Sequence, residues 1–128
     1  MSFDRRLVFV ALNTSDLEKS TVFYRDVFGI PLEADNRPGD DPWIAGPHAE
    51  LSWKEGSYLH FALFQDRPPD RPTTRDAQIG FFVDDLDHLH RYAEEAGVTV
   101  LHPPRDEPWG RTARYLDPDG NVVGVTAR

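Results

Sequence analysis

Cysteine is absent from these 128 residues. That removes disulfides, thiolate metal ligands and cysteine nucleophiles, and it fits a cytoplasmic address. There is also no apolar run near the ~18 residues that a membrane-crossing helix needs. The first residues, Met1 to Arg6, have neither the apolar core nor the small-residue cleavage site of a signal peptide. Positive charge is scarce: 14 Lys and Arg face 22 Asp and Glu, a net charge of -8. Such a chain repels phosphate backbones and anionic membrane surfaces, so nucleic acid and membranes are excluded as expected partners. Acidic groups spread over the surface serve solubility, whereas the same groups beside a pocket favour a cationic ligand.

What is present is enough for one domain with a sizeable core, since 39% of residues are apolar. Residues 6–13 are rich in β-formers and read as a buried strand. Ser15 and Glu18 then stand in capping-box spacing, and Leu17, Thr21, Tyr24 and Val27/Phe28 recur every three to four residues, which predicts a helix stopped by Gly29. Residues 30–34 lead into a second strand. Three prolines, two glycines and two adjacent aspartates make residues 36–48 a long ordered loop or a lid. Strands are expected over 50–53 and 58–65, joined by a turn at 54–57. Residues 67–76, with three prolines and five charges, read as a connector.

The order of elements then begins again. A strand at 78–83 precedes a helix that Asp84 can cap, whose stripe is Leu86, Leu89, Tyr92/Ala93 and Ala96 and whose stop is Gly97. A strand at 98–101, a Pro-rich loop at 102–110 and a hairpin of 112–117 and 121–126 complete it. At the hairpin turn, Asp117, Asp119 and Asn121 can bond their own backbone and Gly120 supplies a positive φ. Asp16-Leu17 and Gly29 in the first half answer Asp85-Leu86 and Gly97 in the second. The pattern is a duplicated βαβββ unit, with module 1 over about 5–66 and module 2 over about 77–127. Neither half could bury its sheet alone.

The residues Ser15 to Ser20 with Phe23-Tyr24 and Gly29, then Phe82 to Asp87, Trp109-Gly110 and the turn from Asp117 to Asn121 together resemble the vicinal oxygen chelate superfamily, which includes glyoxalase I, extradiol dioxygenases and bleomycin-resistance proteins. The resemblance implies an α+β fold of two tandem βαβββ modules forming a curled, cup-shaped mixed sheet with helices outside. It also implies metal ligands from the first and last strand of each half. At the matching positions stand Phe9, His60, Gln78 and Gly124, of which only His60 and Gln78 could bind a metal. No cofactor is therefore expected; a divalent metal held in part by His60 and Gln78 is the alternative.

The expected cup lining is Phe9, Asn13, Trp43, Trp53, Tyr58, His60, Phe64, Gln78, Phe82, Trp109 and Gly124, a mixture suited to an organic ligand, the alternative being that these side chains fill the core. His60 reads as a ligand contact, a general base, half of a metal site, or a hydrogen-bonded structural residue. Trp109 either stacks on a ligand or pins its loop. His48 and His102 are expected on the surface of their loops. His88 and His90, two apart on a helix, do not share a face. The expected function is metal-free binding of an aromatic or cationic small molecule in the sheet cup, by a homodimer of the bleomycin-resistance type. A metal-dependent lyase, isomerase or dioxygenase and a structural or partner-binding module are the alternatives, and module pairing within one chain or across a dimer stays open.

Overall fold

The computed structural model describes residues 5–56 and 58–128; residues 1–4 and Ser57, the end of the expected 54–57 turn, lie outside the described residues. The chain forms two compact units. The first takes residues up to Leu17 and Pro31–Thr73, and the second takes Glu18–Ile30 and Thr74–Arg128. The helix of the first repeat is thus counted with the second unit, although the order of elements along the chain is the expected βαβββ repeated twice.

In the first unit, β1 (Phe9–Thr14), β2 (Glu33–Arg37), β3 (Gly46–Trp53) and β4 (Leu59–Gln65) form a sheet in the order β1-β4-β3-β2. β1 runs parallel to β4, and the other pairs are antiparallel. Alternation sends Leu12, Ala49, Phe61 and Leu63 to one face, where none is more than 5% exposed. The expected loop at 36–48 is shorter than its composition suggested. Glu33 to Arg37 carry no apolar alternation and are all exposed, yet β3 supplies their backbone partners, making β2 a charged edge strand. β3 begins at Gly46, which places His48 on a strand and buries it, against the expected surface position. The 67–76 connector also holds more structure than expected. Arg67 and Arg71 exchange backbone bonds of 2.7 and 2.8 Å, and buried Arg71 donates from Nη1 to the Ala45 carbonyl and from Nη2 to that of Gln65.

In the second unit, β5 (Gln78–Val83), β6 (Thr99–Glu107), β7 (Gly110–Leu116) and β8 (Val122–Ala127) form a sheet in the order β5-β8-β7-β6. β6 extends to Glu107 and takes up most of the expected 102–110 loop, leaving only a turn at 108–109. Pro103 and Pro104 have no N–H to donate, and the sheet accommodates them on its edge with register breaks on either side of His102. The helix α2 (Leu86–Glu95) is capped by Asp85 rather than by Asp84: its Oδ1 accepts from the His88 amide at 3.1 Å. The first helix, α1 (Leu17–Thr21), widens into a π-helical stretch over Val22–Val27 and stops at Gly29, whose φ is 73°. Its first amide, Leu17, donates to Gln65 Oε1 at 2.9 Å.

Within the second unit, Tyr24 packs edge-on against Phe81, Phe28 packs against Tyr115, and Tyr115, Val123 and Val125 are almost fully buried. The Asp117 to Asn121 turn does more than close the hairpin. Asp117 Oδ1 accepts the amides of Asp119 and Asn121, and its Oδ2 accepts the Tyr24 hydroxyl at 2.7 Å and Asn121 Nδ2 at 3.0 Å. Burial lifts the Tyr24 phenol well above its ordinary range, and the Asp117 charge beside it adds to the effect.

Candidate functional site in the first unit

Register decides which side chains meet. β1 and β3 both set a residue opposite His60, namely Phe9 and Ser52. One step along, Glu50 faces Ala62. One step further, His48 faces Phe64 on one side and Asp35 of β2 on the other. All of these side chains leave the same face of the sheet.

The result is a connected polar chain. Ser52 Oγ lies 2.7 Å from His60 Nδ1 and donates to the Tyr58 hydroxyl at 3.4 Å. His60 Nε2 and His48 Nε2 both stand 3.1 Å from the same atom, Glu50 Oε2. His48 Nδ1 donates to the Gly46 carbonyl at 3.0 Å. Ala62, opposite Glu50, adds only a methyl group and leaves room for imidazoles to approach the carboxylate from both sides. Stacking fixes the rings: Phe9 on His60 with centroids 5.4 Å apart, His48 on Phe64 at 4.8 Å, and the Arg71 guanidinium 4.8 Å from the Phe64 centroid.

Over this face lies a cavity of about 390 Å³, lined by Val8, Phe9, Arg37, Ile44, Glu50, Tyr58, His60 and Phe64. Its walls combine aromatic rings, one carboxylate and one guanidinium. Such a site can stack a planar molecule and offer it one anionic and one cationic group.

Four of the expected lining residues, Phe9, Tyr58, His60 and Phe64, meet here. Trp43, highly exposed, follows Pro42 in the loop beside the lining residue Ile44. Asn13 is engaged elsewhere, its Nδ2 donating to the Pro72 carbonyl at 3.0 Å. Trp53 departs from expectation: strand alternation turns it to the opposite face from His60, where it stacks near Phe61. Gln78, Phe82, Trp109 and Gly124 belong to the second unit. There Phe82, 70% exposed, borders a hollow of about 500 Å³ with Asp26, Asp84, Asp85, His88 and Tyr92, while Trp109 is exposed at the β6–β7 turn. Sequence reasoning missed Glu50, His48, Asp35 and Arg37. The polar alternation His48, Glu50, Ser52, broken by Ala49 and Leu51, was the available signal.

The family's metal positions are short of donor atoms. Phe9 offers none, its ring being stacked on His60. In the second unit, β5 pairs Gln78 with Val122 and Gly80 with Gly124. Since Phe9 pairs with His60 in the first unit, the repeat makes Val122 the counterpart of His60, with Gly124 two residues beyond it. Neither Val122 nor Gly124 carries a ligand atom on its side chain, so these positions do not fit the family's metal.

The sequence matches the Glyoxalase/Bleomycin resistance protein/Dioxygenase superfamily over residues 6–125. It is similar to Glutathione transferase FosA from Serratia marcescens, with 27% identity over 123 residues covering 89% of this chain and 74% of that protein. Among solved structures, TnmS3, an antibiotic binding protein from Streptomyces sp. CB03234, is 25% identical with a TM-score of 0.70, covering 99% of this chain and 98% of its own. A glyoxalase/bleomycin resistance protein from the same Streptomyces strain is 27% identical with a TM-score of 0.67, covering 94% and 99%. With the duplicated βαβββ order, its two four-stranded mixed sheets and a match along nearly its whole length, the chain belongs to the Glyoxalase/Bleomycin resistance protein/Dioxygenase superfamily.

Proposed function

We propose that this protein binds a small organic molecule, planar or cationic, in the cavity of the first unit, without a metal at the family's usual positions. The observation that carries this reading is the cavity itself, in which the rings of Phe9, Tyr58 and Phe64 surround the Glu50 carboxylate, the His60 imidazole and the Arg37 guanidinium. Rings give stacking surface, and Glu50 gives a cation its counter-charge. The likeness to TnmS3, itself an antibiotic binding protein, supports the same reading. In it, Trp43 closes over the bound molecule, and the protein acts as a cytoplasmic homodimer. The test is calorimetric titration of chelator-treated protein with a panel of planar cationic antibiotics. Saturable binding that weakens in Tyr58→Ala is expected, and no heat from any member of the panel overturns the reading.

A metal-dependent lyase, isomerase or dioxygenase is the second reading. The convergence of Asp35, His48 and Glu50 favours it, as does the likeness to FosA, named a glutathione transferase. Product formation that requires added metal distinguishes it from simple binding.

A further inference from the structure

We infer that Asp35, His48 and Glu50 form a divalent-cation site on β2 and β3, away from the first and last strands that carry the family's ligands. It does not depend on the identity of any organic ligand.

One donor atom from each of the three residues lies within 4.8 Å of the other two. His48 Nε2 stands 3.1 Å from Glu50 Oε2 and 3.7 Å from Asp35 Oδ2. Metal bonds of about 2.0–2.1 Å in a tetrahedron place neighbouring donors roughly 3.3 Å apart, the scale of the two edges that meet at His48. Sheet geometry sets it: Asp35 and His48 are direct cross-strand partners, and Glu50 is the next residue of β3 on that face.

The far side of two of the donors is already held. Asp35 Oδ1 accepts the Asn36 amide at 2.8 Å, and His48 Nδ1 donates to Gly46 O at 3.0 Å. Metal-binding histidines commonly give their second N–H to a carbonyl in this way, which fixes the tautomer and aims the other nitrogen. With Nδ1 bonded to that carbonyl, Nε2 of His48 faces two carboxylate oxygens, in a side chain with no exposure. Two carboxylate oxygens gathered on one imidazole nitrogen bring negative charge together, which a bound cation would offset. Glu50 also lines the cavity, so an ion held here would turn its open positions toward that space. One imidazole and two carboxylates, with His60 Nε2 on the other side of Glu50 Oε2, suit zinc, nickel or manganese.

The experiment is equilibrium dialysis of the chelator-treated chain against zinc chloride, with nickel and manganese chlorides in parallel. Binding of about one zinc ion per chain is expected, weakened about tenfold or more in Glu50→Gln and in Asp35→Asn. Asp35 is half-exposed, so its variant keeps the fold and the comparison holds even if a variant at buried His48 does not fold. The inference is overturned if none of the three ions binds stoichiometrically, or if binding is unchanged in both variants; a proton shared between His48 and Glu50 would give the first of these results. Because the organic-ligand titration uses metal-free protein, failure of one reading leaves the other standing.

Discussion

Glu50 Oε2 lies 3.1 Å from His48 Nε2, the two residues being neighbours on one face of β3 and the histidine side chain having no exposure at all. A buried polar atom that loses its partner keeps the full cost of desolvation. Glu50→Ala should therefore lower stability by about 1–3 kcal/mol, and more than Glu50→Gln, whose amide can still bond. Urea unfolding midpoints of the two variants at pH 7 check this ordering.

Tyr58 and Phe9 line the cavity while Trp53 sits on the opposite face of the same sheet. For any planar compound that binds the wild type, Tyr58→Ala and Phe9→Ala should each cost about 0.5–1.5 kcal/mol of affinity, the usual worth of an aromatic pair. Trp53→Phe should leave the affinity within twofold by calorimetry, and equal losses in all three variants would place the ligand elsewhere.

Asp117 accepts four hydrogen bonds within the second unit, one of them from Tyr24. Removing the acceptor strands several buried donors, whereas removing the Tyr24 hydroxyl leaves Asp117 with three. Asp117→Ala should cost about 3 kcal/mol or more and Tyr24→Phe about 1–2 kcal/mol. Thermal unfolding of both variants tests the difference, and equal losses would contradict the hub role of the turn.

Two phenols predict an alkaline limit. Burial pushes Tyr115 up to about 12, with the charges of Glu94 and Asp87 adding to it, and Tyr24 is raised further. The unfolded chain releases these protons near pH 10 while the folded chain keeps them. Their contribution is complete below pH ~10 and is lost as pH rises toward and through 12. The urea midpoint should fall between pH 9.5 and 11.5, less steeply in Tyr115→Phe.

Glycines 110 and 124 should respond in opposite ways. Gly110 has a φ of 138°, and a Cβ there would meet Thr126 Cγ2 at 3.2 Å, so Gly110→Ala should cost about 1–3 kcal/mol. A Cβ at Gly124 meets nothing nearer than Ile79 O at 3.9 Å, so Gly124→Ala should be neutral or stabilising by up to about 1 kcal/mol. Denaturant unfolding of the pair measures the contrast.

The repeat, both helices with their glycine stops, and strands such as β5 over 78–83 were legible because apolar period and turn chemistry are local properties. β2 and the start of β3 were not. Glu33 to Arg37 pair through backbone groups alone, and no side-chain pattern marks that. Losing those strands hid His48 and Glu50, which then read as loop and strand residues with nothing in common. Pro103 and Pro104 misled in the same direction, since proline forbids a central strand but not an edge.

By itself, then, the sequence determined that this chain is a duplicated βαβββ protein, because spacing and residue identity carry that information directly, and its family resemblance put Phe9 and Gly124 where ligands would stand. Only the tertiary structure decided that Asp35, His48, Glu50 and His60 converge. Cross-strand register joins residues up to 25 positions apart, and a slip of one residue would have sent every one of those side chains to the other face.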